Sequence, residues 1–251
     1  MVLDAVPAQC PRLCGRRCTG ETAPRCGRFQ CAFAQRQRTG QQPQPVRRAG
    51  PVGRHRSDLR PGTRLAEYLQ ARPWKETLSE LHLPRQRELL PYLQRQPALW
   101  THNDWHASNL LWSEDSPQAQ VVSVLDFGLS DRSFALFDLA TAIERNLVPW
   151  LELDQGRAAV ADLDALDALL QGYASVRPLG RDDLLALAAL LPLVHADFAL
   201  SEVIYFHGIL GSAESASLAY DNYLIGHTRW FLDAEGQRLQ NHIRQLAAKV
   251  K

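Results

Sequence analysis

Apolar residues recur at helical spacing along much of the chain after residue 61. The segment TRLAEYLQAR puts Leu65, Tyr68 and Leu69 on one side of a short helix, which Pro73 would end. The segment RQRELLPYLQRQ predicts a second helix. These two elements precede a polar stretch in the middle of the chain.

From Phe134 onward the pattern is mostly helical. The segment FALFDLATAIERNL puts Phe137, Ala140, Ile143 and Leu147 on one face. Further helices are predicted in AAVADLDALDALLQGYASV, in RDDLLALAALLPLVHADFALSEVIYFHGIL with a kink or break at Pro192, in SASLAYDNYLIGHTRWFLDAEG and in RLQNHIRQLAAKV.

Strand signals are confined to a short region between these helices. The run VVSVLDFG is rich in β-branched residues and bounded by turn residues, which predicts a strand ending at Asp126. Leu110, Leu111 and Trp112 form a second short apolar strand. The predicted fold class is therefore α+β and mainly helical, with a short β element on a helical body.

Residues 1–60 show neither helical nor strand periodicity and are predicted to be a low-order segment, leaving 61–251 as the folded domain. This segment has 12 Arg, no Lys and 3 acids, a charge of +9, although the whole chain is only +1. It also holds all five cysteines, in a pattern that begins C-x3-C-x3-C. Metal binding, a basic RNA-binding arm and translation from a shifted reading frame are alternatives to an unstructured tail.

The sequence contains no feature typical of a membrane or secreted protein. No apolar run approaches the roughly 20 residues that span a bilayer, and the N-terminus has no apolar signal region. We therefore expect reduced thiols, a cytoplasmic location, and neither a membrane nor a nucleic acid as partner.

The central polar stretch, WTHNDWHASNLLW, contains the residues with the clearest chemistry. His102, Asp104 and Asn109 form the pattern H-x-D-x4-N, and Asp126 opens a D-F-G seventeen residues after Asn109. Phosphoryl transfer requires a carboxylate to orient and deprotonate the acceptor hydroxyl, and oxygen ligands for Mg²⁺. The two motifs together supply both kinds of group.

This pattern resembles the aminoglycoside phosphotransferase and choline kinase family, which has a protein-kinase-like fold and includes homoserine kinases of the second type. The family loop is typically H-G-D-x-H-x-x-N followed by two aliphatic residues, and this chain has HNDWHASNLL. The resemblance extends through Asp126-Phe-Gly to Asp138-Leu-Ala. Asn103 replaces the usual Gly, a mild change because Asn tolerates left-handed backbone.

The resemblance implies an ATP-dependent transfer of the γ-phosphate to a hydroxyl of a small-molecule acceptor, with ATP and Mg²⁺ as cofactors. It implies that Asp104 is the catalytic base and that Asn109 and Asp126 bind the metal. The implied supporting residues share a role in holding the catalytic loop: His102, which braces it, His106, which holds the backbone around Asp104, and Asp138, which caps its helix or hydrogen-bonds the loop.

The C-terminal helices would determine the acceptor. His195, Asp197, Glu202, His207 and Asp221 are polar residues within apolar helices. Family members that phosphorylate amino alcohols bind the amine with acidic residues in this region, which makes Asp197 and Glu202 candidate substrate-binding residues. Solvated faces or buried hydrogen bonds are the alternative for each of the five.

Features of the nucleotide-binding lobe of this family are not evident. Only 101 residues precede His102, the sequence has no G-x-G-x-x-G, and its three lysines do not lie in a strand pattern. We therefore expect this N-terminal lobe to be absent or truncated, and residues 61–251 to be the catalytic and acceptor-binding C-terminal lobe. The alternative to an active kinase is an inactive fragment or pseudoenzyme of the same family.

Overall fold

The computed structural model describes residues 63–250, which form a mainly helical fold with four short strands. The helices are α1 (Arg64–Gln70), α2 (Trp74–Thr77), α3 (Leu83–Leu93), α4 (Ala135–Leu147), α5 (Trp150–Asp154), α6 (Leu163–Val176), α7 (Arg181–Leu190), α8 (Ala196–Tyr205), α9 (Ala213–Leu218), α10 (Thr228–Leu232) and α11 (Ala234–Lys249). Short 3₁₀ or π-helical turns are Leu78–His82, Ala107–Asn109, Phe127–Leu129, Leu191–Leu193, Phe206–Leu210 and Ala219–His227. The α+β, mainly helical class agrees with the prediction.

The strands form two separate antiparallel ribbons. Strand β1 (Leu99–Thr101) pairs with β4 (Asp131–Ser133), and β2 (Leu110–Trp112) pairs with β3 (Val121–Val124). The sequence predicted β2 and β3, which are largely apolar, but missed β1 (LWT) and β4 (DRS), which are short and contain polar residues.

The predicted end of the second ribbon requires correction. Strand β3 ends at Val124, whereas the sequence pattern extended it to Asp126. Asp126 has φ 57° and ψ 66°, a left-handed conformation that cannot continue a strand. The chain therefore leaves the ribbon just before the D-F-G motif.

The larger hydrophobic core surrounds α7, which packs against α3, α4 and α11. Its residues Leu187 and Leu190 are fully buried. The predicted apolar face of α4 also lies in this core, with Ala140 and Ile143 completely inaccessible. This packing fixes α4, whose other residues contact the polar loop between β1 and β2.

A second core joins the N-terminal helix to the C-terminal helices. Leu65 and Leu69 of α1 are buried in it together with Val203 of α8 and Leu224. Helix α1 begins after its N-cap Thr63, whose side chain accepts a hydrogen bond from the Ala66 N–H. The helix ends before Pro73, as its sequence predicted.

The long apolar segment near the middle of the domain is broken at the predicted position. Helix α7 ends at Leu190, a 3₁₀ turn contains Pro192, and α8 follows. By length and composition, Arg181–Leu210 is apolar enough to span a membrane, but 78% of its most apolar window is buried within the fold. Such burial is also typical of a core helix. The break leaves His195 immediately before α8.

Two predictions from the sequence concern residues outside the described range 63–250. The low-order segment 1–60 and the absence of a nucleotide-binding lobe both fall on residues that precede 63. The described residues lie within the range 61–251 that the sequence assigned to the C-terminal lobe.

Candidate active site

The loop between β1 and β2 is anchored by a carboxylate on α4. Asp138, in the first turn of that helix, accepts the N–H of His102 at 2.8 Å and that of Asn103 at 2.7 Å. Burial raises the pKa of Asp138, against the lowering effect of these two donors. Of the two roles considered for Asp138, the structure shows the hydrogen bonds to the loop.

Asn103 turns the loop at its anchored end. Its φ is 63°, in the left-handed region where Gly or Asn is favoured. Its side chain donates to Leu129 O at 3.0 Å and accepts from the Thr101 hydroxyl at 2.7 Å. These bonds compensate for the unfavourable backbone and join the loop to the segment after the D-F-G motif.

His102 braces the loop from inside. Its Nε2 lies 2.8 Å from the carbonyl oxygen of Leu125, which can only accept, so Nε2 carries the proton. Nδ1 therefore has the lone pair and accepts the N–H of Asp104 at 3.3 Å. The ring also packs 4.7 Å from that of Phe127. His102 thus links Asp104 to the D-F-G turn.

The carboxylate of Asp104 is partly buried and surrounded by donors. Asn109 Nδ2 donates to its Oδ2 at 3.2 Å, and Arg145 Nη2 lies 3.4 Å from its Oδ1. Burial raises the pKa of Asp104, but the combined effect of His106, Arg145 and Asn109 is larger and in the opposite direction. The pKa of Asp104 therefore lies below its usual value. Asp104 is therefore held as a carboxylate at neutral pH, the form that accepts a proton.

His106 lies beside the carboxylate of Asp104. Its Nε2 is 3.6 Å from Asp104 Oδ2, an electrostatic contact too long for a good hydrogen bond. Its Nδ1 is 2.7 Å from the hydroxyl of Ser108. The sequence suggested a role in holding the backbone around Asp104. The main-chain N–H of His106 donates to Asp104 O at 3.1 Å, and its main-chain oxygen accepts the N–H of Asn109 at 2.9 Å.

Two residues of α4 that the sequence did not single out also hold this loop. Asn146 accepts the N–H of Ala107 at 2.7 Å and donates to Trp105 O at 3.3 Å. The Arg145 guanidinium contacts Asp104 and lies 4.2 Å above the ring of Phe198. Both residues follow Asp138 by two helical turns and so share its face, a spacing that could have identified them.

Asn109 and Asp126 are brought together by the pairing of β2 with β3. The N–H of Leu125 donates to Asn109 O at 2.8 Å, which makes Asp126 the neighbour of Asn109 along the ribbon end. Asn109 uses its amide nitrogen for Asp104 O at 2.9 Å, which leaves its amide oxygen to bind a cation. Asp126 adds a carboxylate from a strained left-handed position.

A cavity of about 680 Å³ lies against this loop. It is bounded by residues of the loop, the D-F-G turn, α4 and the C-terminal helices: Asn103, Gly128, Ser130, Asp131, Thr141, Glu144, Arg145, Trp150, His195, Asp197, Phe198, Ser201, Glu202, Tyr223 and His227. Its volume suits a small molecule. The two acidic residues that the sequence proposed for substrate binding, Asp197 and Glu202, both line it, whereas His207 and Asp221 do not.

Glu202 has the most strongly perturbed carboxyl group in this wall. Burial raises its pKa to about 7; the charge of Arg145 lowers it and that of Asp104 raises it. The dependence on both residues shows that Glu202 senses the charge at the catalytic loop. A carboxyl group that is half protonated at neutral pH responds to any ligand charge in the cavity.

Comparison with known proteins identifies the family. A sequence profile of the Phosphotransferase enzyme family (APH) matches residues 16–179, well over half of the chain. The chain belongs to this family. The match begins within the segment 1–60 and includes the loop between β1 and β2, the D-F-G turn and Asp138. No curated protein matches the chain.

A solved structure of an aminoglycoside phosphotransferase from Alicyclobacillus acidocaldarius is also similar. The alignment covers 99% of this chain and 67% of that one, at 14% identity and a TM-score of 0.39. The assignment to the phosphotransferase family rests on the profile match.

The residues of this phosphotransferase fit a Mg²⁺ ion. Magnesium is bound in proteins by one or two carboxylates, together with waters and phosphate oxygens. The Asp126 carboxylate and the Asn109 amide oxygen are hard oxygen donors, and Leu125, which precedes Asp126, is hydrogen-bonded to the backbone of Asn109. These two residues would hold the ion, and Asp104 lies within hydrogen-bonding distance of Asn109.

Proposed function

We propose that the chain is an ATP-dependent kinase that transfers the γ-phosphate to a hydroxyl group of a small acceptor that carries an ammonium group. Amino alcohols, hydroxy amino acids and aminoglycoside-like compounds have this chemistry. The observation that supports the proposal most directly is the position of Asp104, which is ionised and held by neighbouring donors next to a cavity whose lining includes Asp197 and Glu202.

The reaction requires little covalent chemistry from the protein. Asp104 would accept the proton of the acceptor hydroxyl while the hydroxyl oxygen forms a bond to the γ-phosphorus. The bond between the γ-phosphorus and the oxygen of the leaving ADP breaks in the same step. Mg²⁺ held by Asn109 and Asp126 would neutralise charge on the phosphate oxygens. Asp138 and His102 would keep Asp104 in position, which is the main requirement of such a reaction.

Glu202 and Asp197 support a cationic acceptor. Both line the cavity, and the pKa of Glu202 is about 7, so that the ammonium group of a ligand would favour its ionised form. The acceptor would be bound more tightly as the pH rises through 7. The same proposal includes a cytoplasmic location and a small molecule, not a membrane or a nucleic acid, as the binding partner.

The test is an assay for acceptor-dependent release of ADP by the full chain with Mg-ATP. The acceptors would be a panel of amino alcohols, hydroxy amino acids and aminoglycosides, with the phosphorylated product identified by ³¹P NMR. We expect at least one cationic acceptor to be phosphorylated, and D104N to lose this activity by about 10³-fold or more. H242Q, at a distant surface pair with Asp167, is the matched control and should retain activity.

Two results would contradict the proposal. If the chain releases no ADP with any acceptor in the panel and calorimetry detects no binding of Mg-ATP, the alternative of an inactive family member is correct. If D104N retains the wild-type rate, the loop is not the catalytic centre.

A further inference from the structure

A second cluster of potential metal ligands lies in the cavity wall away from the Mg²⁺ residues. Glu144 on α4, His195 before α8 and His227 at the end of the turn Ala219–His227 each offer one ligand atom, and these atoms lie within 4.8 Å of one another. The three residues are only 2%, 5% and 8% exposed, unlike ordinary surface acidic clusters. All three line the cavity, which gives a cation a route of entry.

The hydrogen bonds of Thr228 determine which nitrogen of His195 is available. The Thr228 hydroxyl is 2.8 Å from Leu224 O, and its single proton belongs there because a carbonyl oxygen cannot donate. Thr228 Oγ1 therefore accepts from Nε2 of both His195, at 3.0 Å, and His82, at 3.1 Å. Each imidazole is then protonated at Nε2 and has its lone pair at Nδ1.

Nδ1 of His195 is buried and has no hydrogen-bond partner. Burial lowers the pKa of His195 well below its usual value, an effect that the neighbouring His227 strengthens, so the ring is neutral near pH 7. A neutral imidazole whose other nitrogen is held by a hydrogen bond is the form that binds a metal. A buried lone pair without a donor is otherwise unfavourable.

The other two ligands are already aligned. His227 Nδ1 is 2.9 Å from Glu144 Oε1, and Trp150 stacks on the His227 ring at 3.6 Å while its indole N–H donates to Glu144 O. Ligands of tetrahedral Zn²⁺ at 2.0–2.1 Å lie about 3.3 Å apart, so the cluster would contract by at most about 1.5 Å. Arg145 Nε lies 3.9 Å from Glu144 Oε2, and its positive charge opposes the binding of a cation.

We propose that Glu144, His195 and His227 form a binding site for Zn²⁺ or a chemically similar divalent cation, with the remaining coordination position open to the cavity. Two histidines and one glutamate with an open position are a known ligand set for zinc. The ion would displace the proton between His227 and Glu144. This site is separate from the oxygen ligands proposed for Mg²⁺ and does not depend on the kinase proposal.

The test is titration of the full chain with Co²⁺, whose visible absorption bands report tetrahedral coordination, followed by displacement with Zn²⁺. The five cysteines at the N-terminus could also bind these ions, so their thiols would be alkylated beforehand. We expect one Co²⁺ per chain with nitrogen and oxygen ligands. Loss of all binding after alkylation would overturn the proposal.

The variants separate ligation from folding. H195Q keeps an amide nitrogen near Thr228 and removes the Nδ1 lone pair. H227N keeps a donor to Glu144 and replaces the imidazole by an amide, which is a much weaker ligand for zinc. Each should raise the Kd for Co²⁺ roughly tenfold or more. The matched control, H82Q, has the same Thr228 partner outside the cluster and should change the Kd by less than about twofold.

A location test does not depend on any variant. Crystals soaked with Zn²⁺ should give an anomalous peak between the three side chains at the zinc absorption edge. A peak at other residues only, or equal Kd values for H195Q, H227N and wild type, would show that the cluster is a hydrogen-bonded part of the core and not a metal site.

Discussion

Arg145 on α4 and Asp104 on the catalytic loop are 3.4 Å apart, measured from Nη2 to Oδ1. The two residues are 41 positions apart in the sequence and meet because Asp138 and Asn146, on the same helix, hold the loop against it. The guanidinium lowers the pKa of Asp104 and also that of Glu202. One cation thus influences both the proposed base and the proposed acceptor-binding carboxylate.

Replacing Arg145 by Met should move the acidic limb of the pH profile of kcat/KM to higher pH. Without the guanidinium the pKa of Asp104 rises, so less of it is ionised at a given acidic pH. We therefore expect the acidic limb to move to higher pH by more than the error of the fitted profile. R145K, which keeps the charge, should restore much of the difference. The measurement is kcat/KM between about pH 5 and pH 9.

Because Glu202 also senses Arg145, the same comparison is made in an E202Q background. A shift of the acidic limb that persists in the E202Q background is caused by the change in the pKa of Asp104. R157M, at a surface pair with Glu152, is the control for loss of an arginine. An unchanged acidic limb in R145M would contradict the electrostatic role assigned to Arg145.

Replacing Asp138 by Asn should weaken both stability and turnover. The carboxylate accepts from two N–H groups, whereas an amide offers one oxygen and turns a second donor toward the loop. The cost is about 1–3 kcal/mol in the free energy of unfolding. Displacement of Asp104 should lower kcat by roughly 100-fold.

The matched control for this change is D162N. Asp162 is the N-cap of α6 and accepts from the Ala165 N–H at 2.9 Å, a role that Asn fills equally well. Urea unfolding followed by tryptophan fluorescence measures both variants. Equal stabilities for D138N and D162N would show that the Asp138 anchor contributes nothing specific.

Local signals in the sequence were sufficient for much of this site. The pattern H-x-D-x4-N followed by D-F-G predicted the positions of Asp104 and Asn109 in a loop, and the periodicity of α4 predicted its buried face. Asn103 was expected to tolerate a left-handed backbone, and its φ is 63°. Each of these properties depends on residues close together in the chain.

Long-range contacts could not be predicted in the same way. The spacing of Arg145 and Asn146 from Asp138 indicates a shared helical face, but only the folded chain shows that both residues reach the loop. His195 was recognised as a polar residue in an apolar segment, but its proximity to Glu144 and His227 depends on packing between three separate elements. Periodicity specifies which face is buried and not which residue lies opposite.

Replacing Gly236 by Ala should destabilise the fold. A Cβ at this position in α11 would lie 2.3 Å from both Phe231 Cα and Trp230 O, which are backbone atoms that cannot rotate away. We expect a loss of about 1–3 kcal/mol or more in the free energy of unfolding, measured by urea denaturation. G180A is the control for a Cβ without backbone overlap, since its Cβ would meet only an Asp183 oxygen at 3.5 Å and its cost is limited to the loss of Gly at the N-cap of α7. Similar stability of both variants would contradict this close packing.

Replacing Glu202 by Gln should change how stability depends on pH. Burial raises the pKa of Glu202 from 4.5 to about 7 in the folded chain, so between these values the folded state binds more protons than the unfolded state. Stability contributed by the protonated carboxyl is present below pH 4.5 and is lost as the pH rises through 7. Gln resembles the protonated form and does not undergo this loss.

E202Q should therefore gain stability relative to wild type as the pH rises, by on the order of 1–3 kcal/mol between about pH 5 and pH 8. Urea unfolding at both values measures the difference, and E214Q, on the exposed surface of α9, is the control for removal of a glutamate. A saturating cationic acceptor should reduce the gain, because its charge favours the ionised carboxylate that only wild type possesses. A stability difference that is the same at both pH values would show that Glu202 is not protonated in the folded chain.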